Sequence, residues 1–138
     1  MTTFYISPSS LSFNKYAKIH AAASSFGWTA SWNWRREAFY PDAIINQTTI
    51  TRVMRALART DVFIALVPGT CSTSIEIGMA YTLCESIFLA ARAPVYFKQT
   101  GLSDAHMSAL PNIKRVCCEF EDIPAMLKKE YSNLIDII

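Results

Sequence analysis

The chain has 138 residues with a formal net charge of +2, so it fits one domain, residues 1–138, and gives no charge-based indication of nucleic-acid binding. Half of the residues are hydrophobic, which is typical of a compact α/β domain with a buried sheet. No signal peptide is recognised and no run of about 18 apolar residues predicts a membrane span, so we expect a cytoplasmic protein.

Predicted strands and helices alternate along the chain. Strands are predicted at 4–6, 28–32, 62–67, 86–90 and 114–119, and helices at 13–26, 44–60, 74–84 and 123–138. The run 62–67 is apolar throughout, as in a central parallel strand, and Gly27 predicts the end of the first helix. The alternation predicts an α/β fold, a single Rossmann-like domain with a doubly wound parallel sheet of about five strands and helices on both faces. Ligands of such sheets bind at the carboxyl ends of the strands.

Glu76 is the single acidic residue between Val67 and Leu83, where the central strand gives way to a helix. In one interpretation Thr73 and Glu76 form a capping box, in which the threonine caps the helix and the glutamate binds back to its amide. The helix dipole is then expected to keep Glu76 ionised at neutral pH.

A second interpretation makes Glu76 a nucleophile at the ligand-binding edge of the sheet. An ionised carboxylate can attack the anomeric carbon of a sugar, because the oxocarbenium-like transition state is positively charged. Hydroxyl groups for binding a sugar or phosphate precede it in the chain, at Thr70, Ser72, Thr73 and Ser74. The spacing alone does not choose between the two interpretations.

Two segments, FYISPSS near the start and TDVFIALVPGTCSTSIEIGMAYTLCESIFL at 60–89, resemble the nucleoside 2-deoxyribosyltransferase-like superfamily. The similarity is greatest to its small bacterial and phage branch, which is related to nucleoside 5′-monophosphate N-glycosidases. The resemblance implies a Rossmann-like fold and cleavage of the N-glycosidic bond of a nucleoside or nucleotide. It also implies that Glu76, the glutamate of the E-[LI]-G motif, is the nucleophile that forms a glycosyl-enzyme intermediate.

The resemblance also suggests residues that bind the substrate. The transferases carry an aspartate at the position of Thr70, whereas nucleotide hydrolases carry a serine there, so Thr70 favours a 5′-monophosphate. Sugar or phosphate contacts are expected from the first loop and the loop after the central strand, at Ser7, Ser9, Ser10, Gly69 and Ser72. Ser7, Ser9 and Ser10 alternatively form an ordinary Pro-Ser turn. Trp34 is a candidate for stacking on the base, whereas Trp32 is expected in the core.

The predicted activity is hydrolysis or base transfer on a nucleoside 5′-monophosphate or nucleoside, with no metal or redox cofactor. The superfamily's usual acid is absent from 50–53, which leaves a non-catalytic nucleotide-binding protein as an alternative. NAD glycohydrolase activity and a scaffold role are further alternatives. We expect a homodimer or a multiple of it, a nucleotide or nucleoside ligand, and neither membrane nor nucleic-acid partners.

Overall fold

A computed structural model describes residues 1–7, 13–32, 47–67, 71–97 and 110–135, apart from the side chains of 13, 14, 47–50, 71 and 72. The strands are β1 (Thr3–Ser7), β2 (Thr29–Ala30), β3 (Val62–Val67), β4 (Ser86–Ala91) and β5 (Ile113–Cys117). The helices are α1 (Phe13–Ser25), α2 (Gln47–Ala58), α3 (Cys71–Leu83) and α4 (Ile123–Glu130). Short 3₁₀ turns occupy Pro94–Phe97, Phe120–Asp122 and Ser132–Leu134.

The five strands form one parallel sheet in the order β2-β1-β3-β4-β5. The predicted doubly wound α/β fold is therefore confirmed. In this order the chain leaves β1 in one direction along the sheet and continues beyond β3 in the other. The boundary between β1 and β3 is the topological switch point, where open α/β sheets bind ligands at the carboxyl ends of their strands.

The sheet is covered on both faces, and successive residues of each strand pack on opposite sides. Phe4 and Ile6 of β1 pack with α1 and α4, whereas Tyr5 packs with α2 and α3. All six residues of β3 are buried, because a parallel strand covered on both faces needs apolar side chains at successive positions.

The helix ends follow from local sequence. The backbone at Gly27 has a φ of 87°, which glycine adopts without steric cost, so the predicted stop after α1 is confirmed. On α2 the buried residues Val53, Ala56 and Leu57 recur at helical spacing, and Arg52 and Arg55 are exposed on the other side.

The carboxyl-terminal elements are shorter than predicted. β5 ends at Cys117 rather than 119, because the chain turns into a 3₁₀ segment at Phe120. The last helix ends at Glu130 instead of continuing to the end of the chain. Its following residue Tyr131 is buried against Trp28, with ring centroids 5.8 Å apart, and this packing requires the chain to turn there.

Two other predicted elements differ in length. The second strand is confined to Thr29–Ala30 instead of 28–32, because Trp28 and Trp32 on either side of it turn into the core. The second helix is described over Gln47–Ala58, and its predicted start at 44–46 lies outside the described residues. Within the described residues, no helix has the length and apolar character needed to cross a membrane.

Candidate active site

Glu76 lies inside α3, in its second turn. The helix begins at Cys71, three residues before the predicted start at 74. Thr73 is thus a residue of the first turn rather than the cap that precedes the helix. The capping-box interpretation requires Thr73 outside the helix, and it is therefore wrong.

The Glu76 side chain points from α3 toward the sheet, and only 5% of the residue is exposed. It contacts the side chains of Ser7 and Tyr5 on β1, which act on its carboxyl group by hydrogen bonding. Ser7 and Tyr5 are two residues apart, so the alternation of side chains along a strand brings both to the face that α3 covers. The Tyr5 ring is fixed by stacking on Phe63, with centroids 5.6 Å apart and planes 20° from parallel.

These contacts lie at the topological switch point of the sheet. Ser7 is the last residue of β1 and pairs with Ala65, two residues before the end of β3. Glu76 belongs to the helix that follows β3. The carboxyl group therefore lies at the carboxyl end of β1, beside β3, where the direction of winding changes and ligands of such sheets are bound.

Burial dominates the electrostatics of this carboxyl group. Loss of hydration disfavours the charged form and raises the pKa of Glu76 from 4.5 to about 7, against the lowering effect of hydrogen bonding to Ser7 and, less strongly, Tyr5. The expectation that the helix dipole keeps this residue fully ionised at neutral pH is wrong, because Glu76 lies beyond the first turn and is desolvated. Its Oε2 atom is buried and has no hydrogen-bond partner among the described residues.

A carboxyl group with this pKa exchanges its proton near neutral pH. In its ionised form it can act as a nucleophile or general base, and in its protonated form as a general acid. Strongly shifted carboxyl groups at the ligand edge of a sheet are candidates for catalysis, because a purely structural carboxylate is usually paired or solvated.

The structure brings part of the predicted site together. Ser7 and Glu76 are in contact, and Thr73 and Ser74 are buried in the first turn of α3. Trp32 is buried in the core on the same face, as predicted. The predicted binding residues that lie outside the described residues are Ser9, Ser10, Trp34, Gly69 and Thr70, and the Ser72 side chain is also outside them.

Tyr5 is a site residue that the sequence interpretation missed. The sequence places it in a short apolar strand, and in the structure its hydroxyl group acts on Glu76. The alternation of side chains along a strand is sufficient to predict Tyr5 as a site residue, because a strand that presents Ser7 to a site also presents the residue two positions earlier.

The site has no metal-binding arrangement in the part of the chain that is described, where no group of three or more His, Cys, Asp or Glu side chains is placed to hold an ion. Cys84, Cys117 and Cys118 are free thiols. Burial raises the pKa of Cys84 to about 11, which makes its reactive thiolate form scarce at neutral pH.

No family model and no curated protein sequence matches the chain. Among solved structures, it is similar to the Clostridium botulinum CMP N-glycosidase BcmB, with a TM-score of 0.60. The similarity covers 92% of this chain and 99% of that chain, at 15% sequence identity. The two proteins therefore share a fold.

Proposed function

We propose that the protein cleaves the N-glycosidic bond of a nucleoside 5′-monophosphate, with Glu76 as the nucleophile. The observation that carries the proposal is the buried contact of Glu76 with Ser7 and Tyr5 at the switch point between β1 and β3. The fold shared with a CMP N-glycosidase supports it, as does the sequence resemblance described above.

In the proposed reaction the ionised Glu76 attacks C1′ of the sugar. A bond forms between a carboxylate oxygen and C1′, the C1′–N bond breaks, and its electron pair leaves with the base, which takes up a proton. Water then attacks C1′ and releases the sugar phosphate, the water's proton is lost to solvent, and the carboxylate is regenerated; another base in place of water gives transfer.

The surroundings of Glu76 fit its proposed role as the nucleophile. Desolvation makes the carboxylate a stronger nucleophile than one in water, while the hydrogen bonding of Ser7 keeps part of the population ionised at neutral pH. Thr70, Gly69 and Ser72, with Ser9 and Ser10, are proposed to bind the phosphate and sugar, and Trp34 to stack on the base. Thr73 and Ser74 are proposed to contribute to the same substrate-binding site.

The test is release of free base from a panel of nucleosides, their 5′-monophosphates and NAD. We expect a 5′-monophosphate to be cleaved, and cleavage to fall by at least about 10³-fold in Glu76→Gln, which keeps the shape of the side chain but removes the charge. Glu130→Gln, an exposed carboxylate on α4 that pairs with Lys114, is the matched control and should retain full activity. Full activity of Glu76→Gln would contradict the proposed role.

A second candidate function is nucleotide binding without cleavage. It is favoured by the absence of an acidic residue from 50–53, where the sequence resemblance places an acid. In this turn of α2, Arg52 is exposed and Val53 is buried in the core. Saturable binding of a nucleotide, measured by calorimetry, without release of base from any member of the panel would support this candidate instead.

A further inference from the structure

Tyr5 has an aromatic partner on the neighbouring strand. In the register of the sheet, Tyr5 of β1 lies directly beside Phe63 of β3. The two rings are stacked, with centroids 5.6 Å apart and planes 20° from parallel, and both residues are fully buried. They belong to the core on the face that α2 and α3 cover, the face on which Glu76 lies.

This stack restricts the position of the Tyr5 hydroxyl group. The phenol oxygen lies at the far end of a rigid ring, so its position follows from the orientation of the ring plane. A second ring that lies nearly parallel to this plane limits rotation about χ1 and χ2, whereas a flexible aliphatic neighbour allows more of it. Phe63 therefore fixes a hydroxyl group that acts on Glu76, although its own side chain forms no hydrogen bond.

The other hydroxyl group at Glu76 depends less on its neighbour. Ser7 pairs with Ala65 of β3, whose side chain is a single methyl group. The serine oxygen is bonded directly to Cβ, so the strand backbone and one staggered rotamer determine its position. Phe63 is thus expected to act on Glu76 through Tyr5 and not through Ser7.

Burial and these two hydroxyl groups determine the ionisation of Glu76. No charged side chain of the described ranges is among the groups that act on its carboxyl group. Burial raises the pKa, while hydrogen bonding from Ser7 and, less strongly, from Tyr5 lowers it. A change in the position of either hydroxyl group should therefore be measurable at Glu76 itself.

We propose that Phe63 is a positioning residue for Glu76, because its ring holds the Tyr5 hydroxyl group against the carboxyl group. The inference rests on the proposed function only in treating Glu76 as the reactive group. A hydroxyl group that donates to a carboxylate stabilises the charged form, so loss of the stack should raise the pKa of Glu76. A role of Phe63 in packing alone would lower stability and leave this pKa unchanged.

A carbon-13 NMR titration of the Glu76 carboxyl group tests the proposal without relying on activity. Its signal is identified as the one that is missing from Glu76→Gln. We expect Phe63→Leu to raise the pKa by a few tenths of a pH unit, and by no more than Tyr5→Phe does, since leucine keeps the position apolar but has no ring plane.

Phe88→Leu is the matched control for this variant. Phe88 lies on β4 and is as fully buried as Phe63, but it belongs to the core on the opposite face of the sheet. It should lose a similar amount of stability, measured by urea unfolding, and leave the pKa of Glu76 unchanged. Circular dichroism establishes that the variants are folded; if Phe63→Leu is not, Phe63→Met replaces it.

A double-mutant cycle tests whether Phe63 acts through Tyr5. Tyr5→Phe has no hydroxyl group to position, so adding Phe63→Leu to it should cause no further change in the pKa of Glu76. An unchanged pKa in folded Phe63→Leu, a further rise in the double variant, or an equal rise in Phe88→Leu would overturn the proposal.

Base release separates this inference from the proposed function. If the protein cleaves a nucleotide, kcat/KM of Phe63→Leu should fall a few-fold at pH 7 and return to the wild-type value near pH 9, where Glu76 is ionised in both. If the pKa values change as expected but the wild type releases no base, Phe63 remains a positioning residue and the proposed function is contradicted.

Discussion

The two faces of the sheet are made from alternate residues of the same strands, yet they differ in chemistry. On the face covered by α1 and α4, β1 contributes Phe4 and Ile6 to a core that is rich in aromatic residues. On the face covered by α2 and α3, the same strand contributes Tyr5 and Ser7, and these meet Glu76. One short strand thus serves stability with one set of side chains and the candidate site with the other.

The α1/α4 face illustrates tight packing without buried charge. Trp28 contacts Phe26 and Tyr131 edge to face, at centroid distances of 5.5 and 5.8 Å. Its indole nitrogen donates a hydrogen bond of 3.0 Å to the carbonyl of Leu134, which holds the carboxyl-terminal segment against the core. This face contributes apolar burial, whereas the α2/α3 face holds a desolvated carboxyl group that opposes folding when it is ionised.

Truncation of a β1 side chain on the α1/α4 face should separate the roles of the two faces most strongly. Ile6 is almost fully buried, and Ile6→Ala should lower the free energy of unfolding by about 2–5 kcal/mol through lost burial and the resulting cavity. The base-release activity of the folded fraction should change little, because Ile6 points away from Glu76. Urea unfolding and activity at low temperature measure the two effects separately; an activity loss with unchanged stability would mean that the faces are not independent.

The next largest effect concerns the stability cost of Glu76. Because its pKa is about 7 in the folded chain and 4.5 for an ordinary glutamate, the folded state binds the proton more tightly between these values. Stability should therefore fall as pH rises through this window, by at most roughly 3.5 kcal/mol at about 1.4 kcal/mol per pH unit.

Glu76→Gln removes this dependence, because glutamine does not ionise. Urea unfolding at pH 5 and pH 8 should show the variant gaining stability relative to wild type at the higher pH. The same relative stability at both pH values would show that the carboxyl group has an ordinary pKa in the folded chain.

Ser7→Ala tests how far the Ser7 hydroxyl on the α2/α3 face controls the ionisation of Glu76. Wild-type kcat/KM should rise with pH and level off above about 7, as Glu76 ionises. Removing the Ser7 hydroxyl removes the strongest effect that lowers this pKa, so the profile should move to higher pH and kcat/KM at pH 7 should fall about tenfold.

Ser31→Ala is the control for that variant. The Ser31 hydroxyl also lies near β1, but it donates to the carbonyl of Phe4 and bonds the Thr60 hydroxyl, away from Glu76. Its pH profile should match that of the wild type. If Ser31→Ala moves the profile as far as Ser7→Ala, the effect reflects β1 in general rather than the Ser7 contact.

Tyr5→Phe should have the smallest effect. Phenylalanine preserves the stacking on Phe63, so stability should be nearly unchanged, while the loss of the hydroxyl should shift the pH profile in the same direction as Ser7→Ala and by less. The activity at pH 7 is expected to fall a few-fold, within the roughly 1 kcal/mol of an ordinary hydrogen bond. A larger shift than that of Ser7→Ala would reverse the assigned order of the two contacts.

The sequence predicted the fold better than the site. Alternating apolar segments were sufficient for the parallel sheet, since the run at 62–67 and the stop at Gly27 depend on local properties of the chain. The start of α3 was predicted three residues too late, because threonine and glutamate at 73 and 76 form a capping pattern that tertiary contacts override. The pKa of Glu76 depends on burial and on hydroxyl groups about 70 residues earlier in the chain, and no local pattern contains that information.

The most direct test of the account is to trap the glycosyl-enzyme. A nucleoside 5′-monophosphate with fluorine at C2′ slows breakdown of the intermediate, because the electronegative substituent destabilises the positively charged transition state. Mass spectrometry of the digested protein after release of base should find the fluorinated sugar phosphate attached to Glu76, and no adduct in Glu76→Gln. Release of base with the sugar attached to another residue, or equal release of base by Glu76→Gln, would contradict the assignment of Glu76 as the nucleophile.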